Sequence, residues 1–167
     1  TRLMFGLSYT IGRYAIISAD YERDWYNGMR VKNIPSGFDL TEADYRSEFT
    51  ANFKGSNTLR LGVEVKPVPM LALRAGYGSA GSMLRNDKDL YYNSPLTYKS
   101  TCYSGGLGLA FGGLNVDLTY QYLENKQTSY MLYYALDSRT GTFDTASPSY
   151  STDLKRNYVI LSVGYKF

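Results

Sequence analysis

Apolar and polar side chains alternate over residues 57–78, "NTLRLGVEVKPVPMLALRAGYG", break at Pro67-Val68-Pro69, and then alternate again. Strand side chains project with period two. Leu59, Leu61, Val63 and Val65 therefore share one face, and Arg60, Gly62, Glu64 and Lys66 the other. In the second arm Leu71, Leu73, Ala75 and Tyr77 oppose Met70, Ala72, Arg74, Gly76 and Gly78. A hairpin with one greasy and one charged face suits two settings: a soluble sandwich whose polar side meets water, or a membrane barrel whose polar side meets a wet lumen.

The same pattern predicts seven strands in all: the two arms of 57–78 and segments near 2–11, 14–24, 100–111, 114–124 and 157–167. Each is close to the roughly 9–11 residues that a tilted strand needs to cross a bilayer. The connections decide between the two settings. They run short, long, short, long, short, long: Gly12-Arg13, about 25–56, Pro67 to Pro69, about 79–99, Gly112-Gly113, and about 125–156. Soluble sandwiches mix loop lengths at both edges, whereas outer-membrane barrels keep tight turns on the periplasmic side and long loops outside.

Aromatics follow the same plan. Tyr9, Tyr21, Tyr77, Tyr120, Tyr122, Tyr165 and Phe167 fall near strand ends on the apolar face, while strand middles carry Leu, Val, Ile and Ala. Tyr is a good strand residue anywhere, but at strand ends its amphipathic ring suits the headgroup level of a bilayer. The expected fold is therefore all-β, a transmembrane antiparallel β-barrel in the bacterial outer membrane, in contact with outer-membrane lipid. Bacterial single-chain barrels have even strand numbers, and open sheet edges are prohibitive in hydrocarbon. Residues 1–167 are accordingly read as the C-terminal part of one barrel domain, with an odd number of further strands supplied by a preceding portion.

Composition narrows the chemistry. The chain of 167 residues holds 18 Tyr and 16 Gly but no His and a single Cys, Cys102. The commonest general base and metal ligand is thus missing, and one Cys makes neither an internal disulfide nor a thiolate cluster. The expectation is a protein that is not an enzyme and uses no cofactor. The net charge of +3 is spread along the chain without a Lys/Arg cluster, so no electrostatic footprint for nucleic acid is visible. No stretch supplies the ~20 predominantly apolar residues of a transmembrane helix, and "TRLMFGLSYT" from Thr1 lacks the apolar core of a secretory signal.

Three stretches, "NTLRLGVEVKPVPMLALRAGYG", "YSGGLGLAFGGLNVDLTYQY" and the terminal "NYVILSVGYKF", follow one another in the last hundred residues or so. In this order the chain resembles the C-terminal half of the FadL-type outer-membrane transport proteins, particularly their Bacteroidota relatives. The resemblance implies a 14-stranded barrel with an N-terminal plug, of which seven strands would be half. It also implies a function: outer-membrane transport of hydrophobic compounds such as long-chain fatty acids or aromatic hydrocarbons. Alternatives of other kinds are a structural or scaffolding barrel with protein partners in a larger complex, and a general porin.

Arg60, Glu64, Lys66, Arg74, Asp117 and Gln121 are expected to face the lumen, either orienting an anionic headgroup or a plug, or forming a solvated charge ladder. Two long connections, "LYYNSPLTYKS" from Leu90 and "YMLYYALDS" from Tyr130, are apolar for exposed segments. Tyr133 and Tyr134 are the candidates there for capturing a lipophilic ligand, the alternative being a self-packed lid. Asp39, Glu42, Asp44, Asp87 and Asp89 lack the spacing of a known Ca2+ loop and read as polar loop residues. "GGLGLAFGG" has neither the glycine spacing nor the following helix of a phosphate-binding loop. "TEAD" at Thr41 resembles a helix start, yet Tyr45, Ser47, Phe49, Ala51 and Phe53 alternate like a strand, and both readings stand.

Barrels handed to the outer-membrane assembly machinery typically end in an aromatic preceded by alternating apolar residues, as Val163, Tyr165 and Phe167 do here. Phe167→Ala in the complete protein should lower the yield of folded barrel. An unchanged heat-modifiable band on a semi-native gel would count against that assembly role.

Overall fold

A computed structural model describes residues 1–35, 41–85, 97–130, 135–136, 143–144 and 149–166. Its main element is one seven-stranded sheet in which every neighbouring pair is antiparallel. In chain order the strands are β1 (Arg2–Ile11), β2 (Ala15–Trp25), β3 (Gly55–Val68), β4 (Leu71–Ala80), β5 (Thr97–Phe111), β6 (Leu114–Tyr130) and β9 (Ser149–Tyr165). A separate two-stranded piece pairs β7 (Ala135–Leu136) with β8 (Phe143–Asp144). The large sheet meanders in sequence order, so its three tight turns lie at one end and its longer connections at the other. It is open: among the described residues β1 and β9 each have one unpaired edge.

The turns follow from their residues. Gly12 has φ +54 and the Tyr14 amide donates to the Ile11 carbonyl at 3.2 Å, which suits a turn that needs positive φ at its first central position. Gly112 and Gly113 both have positive φ, +52 and +94, the demand of a two-residue type I′ hairpin. At the third turn the expected break moves. Pro67 lies inside β3, where the register shifts between Val65 and Val68, and the turn itself is Pro69-Met70. A proline lacks the N–H that a ladder requires, so it sits at an irregularity, while a second proline pre-sets φ for the turn.

Register carries side-chain type sideways across the sheet. Ile11, Ala15, Val65, Leu73, Leu107, Leu118 and Leu161 are successive cross-strand partners, an apolar row over all seven strands. On the opposite face Ser8, Ser18, Gly62, Gly76, Ser104, Gln121 and Tyr158 form the corresponding row. Among the described residues no second layer covers either face. Ala72 is the one buried hydrophobic residue among those described, whereas Leu7 is 75% exposed and Val159 73%. The faces nonetheless differ, since Ser18, Gly62, Glu64, Gly76 and Gln121 are half-buried while Leu61, Val63, Leu107 and Leu161 are exposed.

One segment that the sequence leaves open is decided, and two strands run longer than expected. Residues Glu42–Asn52 form a helix, α1, with Thr41 as its N-cap. The Thr41 Oγ1 accepts from the Asp44 amide at 3.3 Å and the Thr41 amide donates to Asp44 Oδ2 at 2.8 Å, a reciprocal capping box. The Thr41 hydroxyl, donating to Asp44 Oδ2 at 2.7 Å, and after it the Thr41 amide hold the Asp44 carboxyl below the usual carboxylate range, so the cap is complete above that range and is lost as pH falls through the lowered value. Strands β6 and β9 run 17 residues each, beyond the expected 114–124 and 157–167. No described helix is long and apolar enough to cross a membrane.

Gly113 is the most constrained turn position. A Cβ there would lie 2.8 Å from the Lys166 carbonyl oxygen, whereas at Gly12 the nearest atom is a Tyr14 ring carbon at 3.7 Å. Gly113→Ala should therefore destabilise the complete protein by about 1–3 kcal/mol and by more than Gly12→Ala does, read as the urea midpoint in detergent micelles. Equal midpoints for the two variants would remove the steric argument.

Candidate functional site

The half-buried face gathers Arg60, Glu64, Lys66, Arg74, Asp117 and Gln121, which come from β3, β4 and β6. Glu64 stands directly opposite Arg74 in the β3–β4 register. Its Oε2 accepts from Arg74 Nε at 2.6 Å and its Oε1 lies 3.2 Å from Lys66 Nζ. Arg74 also pairs with Asp117, two strands away on β6. That reach depends on β5 having no side chains in between. Gly106 is the register partner of Arg74 and Gly108 that of Asp117, and Gly108 is buried beneath the pair.

A second cluster forms on β1, β2 and β3. Glu22, 6% exposed, lies between two cations: Arg2 Nε is 3.1 Å from its Oε1 and Arg60 Nη1 is 3.2 Å from its Oε2. Arg2 Nε also donates to Asp24 Oδ1 at 2.8 Å. Arg2, Glu22 and Asp24 were not singled out in the sequence. Their signal was present, because residues 2, 22 and 24 fall on the polar face of strands that share an edge, but only the register of β1 on β2 brings them together.

Each cluster is self-neutralising. Lys66 and Arg74 face Glu64 and Asp117; Arg2 and Arg60 face Glu22 and Asp24. Apart from Lys66–Glu64, which lies along β3, these pairs join different strands, and because every cation in them is about half exposed each is worth little individually in stability. As a set they leave a polar face with little net field. Between the clusters lies a groove of about 380 Å3 whose floor is Gly76, Gly78, Ser104 and Cys102, flanked by Arg60 and Gln121. Gln121 Nε2 donates to Cys102 Sγ at 3.1 Å, which turns both side chains along the sheet rather than away from it.

On the opposite face the aromatic residues line up. Tyr77, Tyr103 and Tyr122 are cross-strand partners, with ring centroids 5.3 Å and 6.4 Å apart. Tyr21 Oη donates to Asn57 Oδ1 at 2.9 Å and Tyr120 Oη to Asn157 Oδ1 at 2.7 Å. Beyond this row the same face becomes charged, with Lys126 and Lys155 at 3.6 and 3.8 Å from Glu124 Oε1. At the turn end Phe111 and Tyr165 are exposed, as is Val163 above them. Tyr133, Tyr134 and Phe167, with Asp39, Asp87 and Asp89, lie outside the described residues. Of the remaining acidic loop residues, Asp44 caps α1 and Glu42 Oε1 accepts the Asn33 amide at 3.1 Å.

No family model, curated protein or solved structure matches the chain.

A Cβ at Gly108 would lie 2.6 Å from Asp117 Oδ1 and 3.1 Å from Arg74 Nη1. Gly108→Val should therefore separate that pair and destabilise the complete protein by about 1–3 kcal/mol. In an Arg74→Ala, Asp117→Ala background the same substitution should cost clearly less, since the displaced side chains are gone. A double-mutant cycle on urea midpoints reads this, and equal costs in the two backgrounds would show that Gly108 serves something other than the crossing pair.

Proposed function

We propose that the chain is part of a β-barrel of the bacterial outer membrane that transports hydrophobic compounds, long-chain fatty acids or aromatic hydrocarbons being the cargo class. The observation that carries the membrane reading is the uncovered apolar face. Exposed Leu, Val, Ile and Phe side chains run without interruption across seven strands, far more than the few hundred Å2 of contiguous apolar surface that a soluble monomer leaves in water. Lipid is a suitable cover for it.

The dimensions agree with that cover. On β5 the apolar run from Tyr103 to Phe111 is eight residue steps, about 27 Å along the strand at about 3.4 Å per residue. A tilt of ~40° shortens this to about 20 Å, and the aromatic rings at both ends extend it toward the ~25 Å of a lipid-facing band. The Tyr77–Tyr103–Tyr122 row at one end and Phe111 and Tyr165 at the other occupy the places of two interfacial girdles. The unpaired edges of β1 and β9 then require partners, because an open ladder in hydrocarbon leaves several kcal/mol per backbone group unsatisfied. Further strands of the same barrel, seven if the FadL resemblance holds, would supply them and place the half-buried polar face toward the lumen.

The transport reading rests on that resemblance and on the polar face itself. Clusters that cancel their own charge give an ion or a polar solute little selective field, and the Gly- and Ser-floored groove leaves space beside them. In this reading the lumen pairs hold the barrel wall, and Tyr133 and Tyr134 collect the lipophile outside.

With Cys102 first removed, a cysteine introduced at Asn86 or Ser138 should label on intact cells and one at Val68 should not. Labelling of Val68 alone would invert the topology. Cells carrying the complete protein should take up a fluorescent fatty acid faster than cells lacking it, and Tyr133→Ser with Tyr134→Ser should reduce the gain. Equal uptake in all three strains would remove the transport function and leave the scaffold in front, while uptake of small sugars would favour a porin.

A further inference from the structure

Arg2, Arg60, Lys66 and Arg74 on the half-buried face each have a carboxylate partner, whereas four cations gathered elsewhere form no ion pair among the described residues. On the long connection between β2 and β3, and on the connection that follows β4, Arg30, Lys32, Arg46 and Arg85 line a single groove of about 790 Å3. The one carboxylate in its wall is Glu42, whose Oε1 already accepts the Asn33 amide. Among the described residues none of the four cations forms an ion pair.

The groove is built rather than incidental. Its floor is one face of α1, where Ala43, Ser47, Thr50 and Ala51 are all small and leave room. Arg46 follows Glu42 by four residues, so both stand on that face. One wall, Arg30 to Lys32, is tied to the start of α1 through Asn33, which adopts a left-handed φ of +57 to place its amide on Glu42. The far wall is fixed to the end of α1. The Arg85 amide donates to the Asn52 carbonyl at 3.0 Å, the Lys54 amide to the Met83 carbonyl at 2.8 Å, and Phe53 bridges Leu84. Arg85 Nε is held by the Phe53 carbonyl at 3.2 Å, which orients the guanidinium, and its terminal nitrogens have no hydrogen-bond partner among the described residues.

We infer that this groove binds a small ligand bearing two phosphate groups. The charge supports the number: four cations and one carboxylate leave about +3, which two phosphate monoesters at about −1.5 to −2 each would balance. Guanidinium groups suit the task because they meet phosphate oxygens with paired N–H donors. The volume is too large for a single inorganic phosphate and leaves space for the sugar or similar scaffold that joins two. Such a ligand has two sources, the phosphorylated headgroup of a glycolipid in the surrounding leaflet or a free bis-phosphorylated solute. The inference does not depend on the transport reading.

Lys32 and Arg46 make no side-chain hydrogen bond or ion pair among the described residues, so Lys32→Gln with Arg46→Gln should leave α1 in place. The complete protein, folded in a nonionic detergent, is titrated with pyrophosphate and, separately, with mixed micelles containing a bis-phosphorylated diglucosamine lipid or a neutral glycolipid. The wild type should bind at least one phosphorylated probe, with affinity falling as salt rises, and the double variant should bind it ten-fold or more weakly with an unchanged far-UV circular dichroism spectrum. Arg60→Gln, on the half-buried face, should leave binding unchanged. Binding of pyrophosphate with no binding of either lipid assigns a free solute, and binding of the phosphorylated lipid alone assigns a headgroup. Absence of binding to both phosphorylated probes, equal binding by wild type and double variant, or equal affinity for the neutral lipid overturns the site.

Discussion

Backbone hydrogen bonding between strands is the interaction on which everything else in this protein rests, because almost nothing is buried behind it. Strands β2 to β6 are each bonded on both sides, while Ala72 and Glu22 are the buried hydrophobic and polar residues among those described. In water a ladder bond contributes only about 1 kcal/mol net, since an unfolded amide bonds to solvent instead. In hydrocarbon that alternative vanishes, and the same ladder becomes obligatory. A sheet of this kind is therefore defined by its surroundings as much as by its own contacts. Where such a sheet meets hydrocarbon, it needs a cover on its apolar face and a partner at each edge.

The polar face answers a different demand. Side chains crowd together there, and the sheet admits them by placing glycine where a neighbour leans across. Gly6 lies under Asp20, Gly62 beside Ser18 and Gly76 beside Ser104, with an added Cβ falling 2.6 to 2.8 Å from each neighbour's oxygen. Arg74 spans β5 to reach Asp117 by the same device. The paired clusters thus depend on what β5 lacks. Around α1 the arrangement is reversed, with small residues again leaving space but the cations around it left without carboxylates. The contrast separates charges that hold a wall from charges available to a ligand.

Along β6 and β9 the pattern of side chains changes. Up to Tyr122 one face is apolar and the other polar, but beyond it Glu124, Lys126 and Lys155 occupy the formerly apolar face. Both faces of this extension are polar. The rows of tyrosine mark the transition, with phenol hydroxyls bonded to Asn57 and Asn157 and ring bodies turned to the apolar side.

By itself, the sequence determined the faces of the sheet, the positions of its two glycine turns and the absence of a histidine, because each is a local property: period-two alternation, glycine at positive φ, composition. It did not determine the outer ends of β6 and β9, since alternation vanishes once both faces of a strand meet water. Nor did it settle α1. Tyr45, Phe49 and Phe53 are spaced by four, which puts them on one face in a strand and in a helix alike, and the Phe49–Phe53 ring contact at 5.8 Å belongs to the helix. Only the capping box at Thr41 and Asp44 favoured one form. The pairing of Arg2 with Glu22, the reach of Arg74 to Asp117 and the gathering of Arg30, Lys32, Arg46 and Arg85 from positions 30 to 85 were decided by register and docking. Charge spread evenly along a chain says nothing of where folding will concentrate it, because that depends on contacts between residues far apart in sequence.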